Sequence, residues 1–358
     1  MQAQTDRSVA WRSIVIVAVY GAAGHTAHFV LTELLRRGHT PVAIGRDEAK
    51  LASAIARCRA SFAVKVANVG SPAELDRALS GADAVINCAG PFLDSAEPLA
   101  RAALRCRMHY FDVTAEQTSA LSTFEAFDAP ARERGVVVAP AVGFYGALGD
   151  LLATSAMGDW TRADRIDVAI ALDRWWPTLG TRKTGKRNIA PRLHLWGSRL
   201  TQIEPSAPRS WNFTAPFGMQ DVVEVPFTET ILIARHLNVR DVRNYLSETS
   251  IRDVGDPETP EPIAADERGR SQQRFAVEAV VRRDGEERRI AAHGRDIYAI
   301  TAPIVVEAVE RVCTGTSGAA GAFALGELVD ASDFLRALVA RDDLVLAKSD
   351  ERRTPTTV

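Results

Sequence analysis

The stretch over residues 13–38 constrains the fold most strongly. An apolar, mainly β-branched run leads into a turn that contains Gly21 and Gly24, and the residues that follow show helical spacing up to Gly38. The spaced apolar residues are Ala27, Val30, Leu31, Leu34 and Leu35. The run predicts a strand buried on both faces of a parallel sheet, and the spacing predicts a helix that ends at the glycine. Strand, glycine turn and helix together are typical of the first βαβ unit of a dinucleotide-binding domain.

The residue types in this turn suit a pyrophosphate. Gly21 permits a tight turn, Gly24 lets the backbone approach a ligand, and the small Ala27 lets helix and strand pack closely. Free N–H groups at the helix start, together with the helix dipole, attract phosphate. We therefore predict cofactor contacts from Gly21, Ala23, Gly24, His25 and Thr26. The spacing G-x-x-G-x-x-A departs from G-x-G-x-x-G, so a glycine turn between an ordinary strand and helix is the alternative interpretation.

The residue after the second strand of such a unit selects the cofactor. Residues 41–44 predict that strand, Arg46 follows it, and Lys50 lies one helical turn further on. An acidic residue here binds the ribose 2′-hydroxyl of NAD, whereas arginine accommodates the 2′-phosphate of NADP. Arg46 and Lys50 therefore favour NADP, with NADPH preferred over NADH, and a solvated loop arginine is the alternative. Asn68, near the end of the third predicted strand, is a further candidate contact.

Strand-like and helical segments alternate from residue 14 to residue 139. Six such strands predict an α/β fold with a Rossmann-type, doubly wound parallel sheet and right-handed connections. The small residues Cys88, Ala89 and Gly90 follow the fourth strand, near the place where such sheets bind ligands, and we expect them and Gly143 to contact the cofactor. A nucleophilic role for Cys88 is the alternative, although no base lies beside it in the sequence and buried cysteine usually serves packing.

Composition excludes several classes of function. The 358 residues carry a formal net charge of -2, with 46% hydrophobic and 25% charged residues, which is typical of an ordinary globular protein of about two domains. Nothing favours binding to nucleic acid or to an anionic membrane, and no apolar run approaches the roughly 18 residues that span a bilayer. Residues 1–12 lack a signal-peptide core, which predicts a cytoplasmic protein. The four cysteines are scattered and the histidines form no ligand pair, so we expect no metal.

The second half of the chain changes character after residues 140–150. Strand-like segments follow at 166–172, 222–225, 275–281 and 288–292. The last two are joined by Arg283-Asp284-Gly285-Glu286, which predicts a hairpin. These segments indicate a mixed or antiparallel sheet with helices. Further helices are expected at 298–312 and 334–339, and the tail from residue 348 on is expected to be disordered.

Three features of the sequence are candidates for substrate chemistry. Tyr145, at the exit from the parallel sheet, is a candidate proton donor to a reduced C=N, C=O or C=C bond, with packing at the domain junction as the alternative. Residues 180–187 concentrate four basic groups, among them Lys183, which suits an anion site for a substrate carboxylate or phosphate; a solvated charged loop is the alternative. The Tyr-x-x-x-Lys motif of short-chain dehydrogenases is absent, because no lysine lies four residues after a tyrosine.

Aromatic residues crowd one part of the second half. They predict an apolar substrate pocket or, alternatively, sheet core or a dimer interface. The residues are Trp175, Trp176, Trp196, Trp211, Phe213 and Phe217.

Several segments occur in a specific order and spacing. They are residues 20–27, 45–46, 85–92, 109–114 and 142–144, with a fainter match at 296–299. In these segments the chain resembles the saccharopine dehydrogenase-like family of NAD(P)-binding oxidoreductases. The family's trans-acting enoyl reductases share the Asn-x-x-Gly-Pro and Tyr-x-Asp-x-Thr segments. The chain departs from that pattern at Ala115, where glycine is common, and at 144–147, where an aspartate and a proline are common. Cofactor binding therefore carries over better than substrate identity.

The resemblance implies a domain order. It implies a Rossmann domain over 13–145, an inserted α+β substrate or dimerisation domain over 146–297, and C-terminal helices over 298–347 that return to the first domain. It also implies an NADPH-dependent oxidoreductase, here a reductase of a small organic substrate at an interdomain cleft. A homodimer through the second domain is the expected assembly. A non-catalytic NADP-binding sensor or scaffold is the alternative, since no acid–base pair is recognisable in the sequence.

Overall fold

A parallel sheet forms one half of the molecule. The computed structural model describes residues 14–58, 60–204, 206–315 and 318–348. The strands of this sheet are β1 (Ile16–Tyr20), β2 (Thr40–Gly45), β3 (Ala63–Val66), β4 (Ala84–Asn87), β5 (His109–Asp112), β6 (Val137–Ala139) and β15 (Gly321–Ala322). Within the described residues these seven strands lie in the order β15-β6-β5-β4-β1-β2-β3, all parallel. The strand order reverses direction between β1 and β4, which confirms the doubly wound Rossmann-type sheet.

Burial on both faces explains the apolar run of β1. Val17 and Val19 belong to one hydrophobic cluster, whereas Ala18 and Tyr20 belong to another, and all four are at most 4% exposed. Successive side chains of a strand point to opposite faces, so both faces must be covered by helices. The helices of this half are α1 (His25–Arg36), α2 (Glu48–Cys58), α3 (Pro72–Leu79), α4 (Phe92–Arg105) and α5 (Gln117–Arg134).

A mixed sheet forms the other half, as the sequence predicts. Its strands are β7 (Ala163–Leu172), β8 (Leu193–Trp196), β9 (Arg199–Gln202), β10 (Arg209–Phe213), β11 (Gly218–Glu224), β12 (Val239–Ser247), β13 (Arg274–Arg283), β14 (Glu286–Arg295) and β16 (Val345–Lys348). The main path runs β10-β11-β12-β7-β13-β14-β16, with β8 and β9 attached to β12. The pair β12–β7 is parallel and the other pairs are antiparallel. Asp284 and Gly285 have φ of 51° and 84° and close the predicted hairpin.

The remaining helices connect the two sheets. They are α6 (Gly149–Met157), α7 (Leu179–Arg187), α8 (Thr228–His236), α9 (Glu248–Gly255), α10 (Ile297–Thr314), α11 (Leu325–Leu328) and α12 (Ala331–Ala340). Helix α10 packs on α1 through the buried Arg37, whose guanidinium lies 2.6 Å from carboxylate oxygens of Glu33, Glu307 and Glu310. Strands β15 and β16 give residues 318–348 a place in both sheets. The division at residues 145 and 297 stays a prediction.

Two expectations from the sequence concern the C-terminal tail and the presence of membrane-spanning helices. The tail for which we predict disorder lies, beyond residue 348, outside the described residues. Among the helices of the described segments, none combines the length and the apolar character needed to cross a bilayer.

Candidate active site

A cavity of about 900 Å³ lies between the two sheets. Gly24 at the start of α1 and Gly90 after β4 line it on the side of the parallel sheet. Trp175 and Phe227 line it on the side of the mixed sheet. The carboxyl ends of β1 and β4 meet at the place where a doubly wound sheet binds ligands. The volume and the mainly apolar walls suit a small-molecule site.

The glycine turn after β1 forms one end of the cavity. Gly21 has a φ of +78°, and a Cβ added there would lie 2.9 Å from three atoms of Ala89, so only glycine fits. Within the described segments, no side chain caps the first turn of α1 after Gly24, so the N–H groups of that turn are available to a ligand. Ala23, Gly24, His25 and Thr26 line the cavity. A close backbone approach beside an uncapped helix start fits a pyrophosphate.

Side chains of the Asn-x-x-Gly-Pro and Tyr-x-Asp-x-Thr segments hold the loops behind this turn. The amide Nδ2 of Asn87 donates to the Tyr110 hydroxyl at 3.3 Å, and that hydroxyl donates to Asp112 Oδ2 at 2.9 Å. The other carboxylate oxygen of Asp112 accepts the N–H groups of Thr114 (3.0 Å) and Ala141 (2.8 Å). Burial raises the pKa of Asp112 to about 6. The network ties together the ends of β4, β5 and β6, so these motif residues position the site rather than face a ligand.

A second carboxylate positions the loop that contains Gly90. The two carboxylate oxygens of Glu116 accept the N–H groups of Phe92 at 2.8 Å and Leu93 at 3.0 Å, at the start of α4. Gly90 lies so close to α7 that an added Cβ would be 2.7 Å from the hydroxyl oxygen of Thr184. Helix α7 therefore covers the loop after β4, although no residue of α7 is fully buried.

Tyr145 lies in the wall of the cavity. Its ring centroid is 4.3 Å from that of Phe227 and 5.5 Å from that of Trp175. Its hydroxyl is buried and forms no hydrogen bond with the described part of the chain. Burial raises the pKa of Tyr145 well above its ordinary value, so the phenol is protonated near neutral pH. A buried hydroxyl without a partner is rare in a stable core, so the presence of this one in the wall of a cavity requires an explanation.

Glu229 lies behind Tyr145, at a bend in the chain. The backbone leaves helical geometry at Tyr145 and Gly146, where Gly146 has a φ of +103°, and the Gly146 N–H donates to Glu229 Oε1 at 2.8 Å. The other oxygen, Oε2, is buried and has no hydrogen-bond partner among the described residues. Burial raises the pKa of Glu229 to about 7. The carboxyl group therefore fixes the turn that carries Tyr145.

Arg192 and Tyr298 complete the polar lining. Arg192 Nη1 donates to the carbonyl of Pro226 at 2.7 Å, and its guanidinium lies 4.7 Å from the ring centroid of Phe227. The Tyr298 hydroxyl accepts from Trp175 Nε1 at 3.2 Å and forms a hydrogen bond with the Thr181 hydroxyl at 2.9 Å. These contacts join α7, α10 and the loop after β7 around the cavity.

Several predicted residues come together at this cavity. Those that line it are Ala23, Gly24, His25, Thr26, Cys88, Gly90 and Tyr145. Gly21 and Ala89 lie directly behind the lining, as does Gly143, where a Cβ would be 3.2 Å from Thr301. Burial raises the pKa of the Cys88 thiol to about 12, which agrees with packing and not with a nucleophile.

Other predicted residues lie away from the cavity. Arg46, Lys50 and Asn68 have exposed side chains and are not part of its lining; Lys50 pairs with Asp47 at 3.5 Å. Arg46 and Lys50 still flank the end of β2, where the adenosine half of a dinucleotide binds.

Lys183 does not contact the cavity. The segment 180–187, for which the sequence predicts an anion site with a solvated charged loop as the alternative, lies in helix α7; Thr181, Thr184 and Gly185, at helical spacing, line the cavity. Lys183 is exposed and is not part of the lining, and its contact with substrate stays a prediction.

The aromatic residues divide between the faces of the mixed sheet. Trp175 lines the cavity, whereas Trp211, Phe213 and Phe217 pack in a separate cluster on the opposite face. Trp196 is 51% exposed. Of these residues, Trp175 lies where the prediction of an apolar substrate pocket places it. Phe227, which was not among them, adds a second aromatic ring to the wall.

Sequence reasoning missed Arg192, Phe227, Glu229 and, as a lining residue, Tyr298. Tyr298 lies within the faint motif match at 296–299, so a signal for it was present. Arg192 lies in a loop that has no recognisable motif. Across the described residues, no group of three or more His, Cys, Asp or Glu side chains is arranged to hold a metal ion.

Comparison with known proteins agrees with this geometry. Residues 17–138 match the family model of the saccharopine dehydrogenase NADP binding domain. Saccharopine dehydrogenase-like oxidoreductases of Bos taurus and Mus musculus are each 26% identical over 152 residues, which is 38% of this chain and 35% of each relative. The match thus spans about a third of the length of these relatives. These findings confirm the resemblance that the motifs predict and identify an NADP-binding domain.

A solved structure extends the likeness in fold. Apo saccharopine dehydrogenase (L-Glu forming) from Saccharomyces cerevisiae superimposes with a TM-score of 0.66, over 94% of this chain and 100% of that chain, at 12% identity. The arrangement of a parallel sheet beside a mixed sheet is therefore shared with that protein.

Proposed function

We propose that this chain, whose residues 17–138 match a saccharopine dehydrogenase NADP-binding domain, is an NADPH-dependent oxidoreductase. In this proposal it acts as a reductase on a C=N, C=O or C=C bond of a small organic substrate, inside the cavity between the sheets. The observation that carries the proposal is the Tyr145 hydroxyl. It is buried and has no partner among the described residues, and the Tyr145 side chain lines the same cavity as the glycine turn after β1.

Residues of the parallel sheet hold the cofactor in this proposal. The N–H groups at the start of α1 bind the pyrophosphate, since Gly21 and Gly24 keep the backbone clear of side chains there. Arg46, and Lys50 beside it, bind the 2′-phosphate and favour NADPH over NADH. The bound nicotinamide supplies a hydride. Gly90 and Cys88 border the space in which the nicotinamide half meets the substrate.

Tyr145 supplies the proton. Burial holds the phenol in its protonated form, so Oη carries a proton until negative charge develops on the reduced group. The Arg192 charge acts in the opposite direction, toward the phenolate, and so favours release of that proton. Trp175 and Phe227 place apolar surface beside Tyr145, and a less polar environment strengthens these electrostatic effects.

The test is turnover on a substrate panel. NADPH oxidation is measured with imines, ketones and enoyl thioesters, on wild type and on Tyr145→Phe. We expect Tyr145→Phe to lower kcat by roughly 100-fold or more, because general acid catalysis contributes that much. The dissociation constant for NADPH should stay unchanged.

The variant carries its own control for folding. The hydroxyl has no hydrogen bond in the described part of the chain, so removing it should not lower the free energy of unfolding. Full activity in Tyr145→Phe would refute the role of this residue. Tight NADPH binding without turnover on any class of substrate would favour the sensor or scaffold alternative.

Assembly and location are further proposals. Large apolar side chains of the mixed sheet are exposed, among them Trp196 (51%), Leu200 (37%) and Met219 (66%). They support a homodimer through this sheet, for which light scattering on the purified chain is the test. The cytoplasmic location stays a prediction.

A further inference from the structure

Arg192 differs from Arg37 in the groups that surround its guanidinium. Arg37 is 1% exposed and lies 2.6 Å from the carboxylates of Glu33, Glu307 and Glu310. Arg192 is partly buried in the cavity wall, yet no carboxylate of the described residues forms an ion pair with it. Burying a cation without a counter-ion is unfavourable. The charges of Glu229 and Arg192 act on each other, but no ion pair joins the two groups, so Arg192 has no direct counter-ion among the described residues.

The contacts that Arg192 does make leave most of its donors unused. A guanidinium has five N–H donors. Among the described residues, the guanidinium forms one hydrogen bond, from Nη1 to the carbonyl of Pro226 at 2.7 Å, and it lies 4.7 Å from the ring centroid of Phe227. Burial lowers the pKa of Arg192, as expected for a cation that lacks a partner. The remaining donors suit a planar, bidentate acceptor such as a carboxylate.

The surroundings of Arg192 are apolar. Trp175, Phe227 and Leu246 are each at most 8% exposed and contribute to the wall. Val225, Ile251 and Val254 extend the same lining. Two lining residues carry carboxylates, Glu116 and Glu261, and Glu116 already accepts two backbone N–H groups at 2.8 and 3.0 Å. Beside Arg192, a ligand meets a positive charge and a broad apolar surface.

A different cation serves the cofactor end of the cavity. Arg57 lines the cavity and its charge acts on His25, at the start of α1. Arg192 instead acts on Tyr145 and Glu229. The two arginines therefore belong to different parts of the site, and Arg192 lies with the candidate proton donor.

We propose that Arg192 binds the carboxylate of the substrate, and that the substrate is an organic monoanion with an apolar body. This inference rests on the proposed function and specifies its substrate class. A single cation matches a single negative charge, whereas a phosphate monoester carries close to two near neutral pH. The apolar body lies along Trp175 and Phe227, and the carboxylate anchor fixes the reducible bond relative to Tyr145. Arg192 is thus a specificity-determining residue.

The test compares two probes that differ only in charge. 3-Phenylpropanoate and 3-phenylpropanamide are titrated by calorimetry into the full chain, with and without NADP⁺, and inorganic phosphate serves as a third probe. A charge-assisted pair is worth roughly tenfold in affinity or more, so the carboxylate should bind about tenfold more tightly than the amide. Arg192→Met should reduce that ratio to about twofold or less, while Arg192→Lys should keep part of it. The matched control is Arg199→Met, which removes an exposed charge of β9 and should leave the ratio unchanged.

Each outcome decides the inference. Equal binding of the two probes, or an unchanged ratio in Arg192→Met, would overturn it. If inorganic phosphate binds as tightly as 3-phenylpropanoate, the claim that the substrate has an apolar body is wrong. If 3-phenylpropanoate competes with NADPH, the anion binds in the cofactor site instead. NADPH binding is measured on the same samples by cofactor fluorescence. Failure to bind NADPH refutes the proposed function, whereas NADPH binding without carboxylate preference refutes only this inference.

Discussion

Replacing Gly21 by alanine tests the nucleotide end of the site. Gly21 has a φ of +78°, a conformation that costs a residue with a Cβ about 1–2 kcal/mol. The new Cβ would also lie 2.9 Å from the Cα, Cβ and N of Ala89, two of which are backbone atoms that cannot move aside as a side chain does. Overpacking of this kind costs about 1–3 kcal/mol more. We expect Gly21→Ala to lower the free energy of unfolding by about 2–5 kcal/mol.

Gly38 offers a matched control. Its φ is +80°, nearly that of Gly21, but nothing lies within 4 Å of an added Cβ. Gly38→Ala should therefore lower the free energy of unfolding only by the cost of the positive φ, about 1–2 kcal/mol. Urea unfolding of both variants separates the conformational strain from the close approach to Ala89.

Binding of NADPH distinguishes the two variants further. The new Cβ would displace Ala89 and the loop after β4 relative to the glycine turn that is proposed to bind the pyrophosphate. Gly21→Ala should therefore weaken NADPH binding by about tenfold or more, whereas Gly38→Ala should not change it. Equal losses of stability in the two variants, or unchanged NADPH affinity in Gly21→Ala, would refute the reasoning.

The remaining predictions concern cofactor choice and pH. Arg46→Asp should abolish the preference for NADPH over NADH in equilibrium titrations, because an acidic residue repels the 2′-phosphate; Arg77→Asp, an equal change on an exposed side chain of α3, should keep the preference. Glu229 has a pKa raised to about 7 by burial, so the folded protein holds a proton that the unfolded chain releases above about pH 4.5. The free energy of unfolding of wild type therefore falls as pH rises from 4.5 through 7, because the buried carboxyl group must lose its proton. Glutamine does not titrate, so the free energy of unfolding of Glu229→Gln minus that of wild type should rise by about 2 kcal/mol between pH 5 and pH 8 in urea unfolding. A difference between variant and wild type that does not change with pH would contradict this assignment.

The parallel sheet was predictable because its signals are local. Residues 17–19 are apolar because both faces of β1 are buried there, whereas Ile14 and Ile16 at the start of the run are exposed. The glycine turn signals the close approach of Gly21 to Ala89. The hairpin of β13 and β14 was equally accessible, because Asp284 and Gly285 supply the two positive φ values that its turn requires.

The rest depends on contacts between distant parts of the chain. Helix α7 has no fully buried residue and contains two glycines, so the apolar periodicity that indicates a helix is missing. The parallel pairing of β12 with β7 joins strands more than 60 residues apart, and alternation along a strand does not identify its neighbour. The role of Arg192 follows from the ion pair that it lacks, which only the assembled cavity makes visible.

The most direct measurement follows the nicotinamide into the cavity. Trp175 lines the cavity, so NADPH bound there should quench its fluorescence by energy transfer, with saturation at one nucleotide per chain. Trp175→Phe should lose most of the quenching, whereas Trp196→Phe, on a side chain that is 51% exposed, should keep it. That result would place the nicotinamide beside Tyr145, as the proposed reductase requires. Failure of NADPH to bind, or quenching that is unchanged in Trp175→Phe, would contradict it.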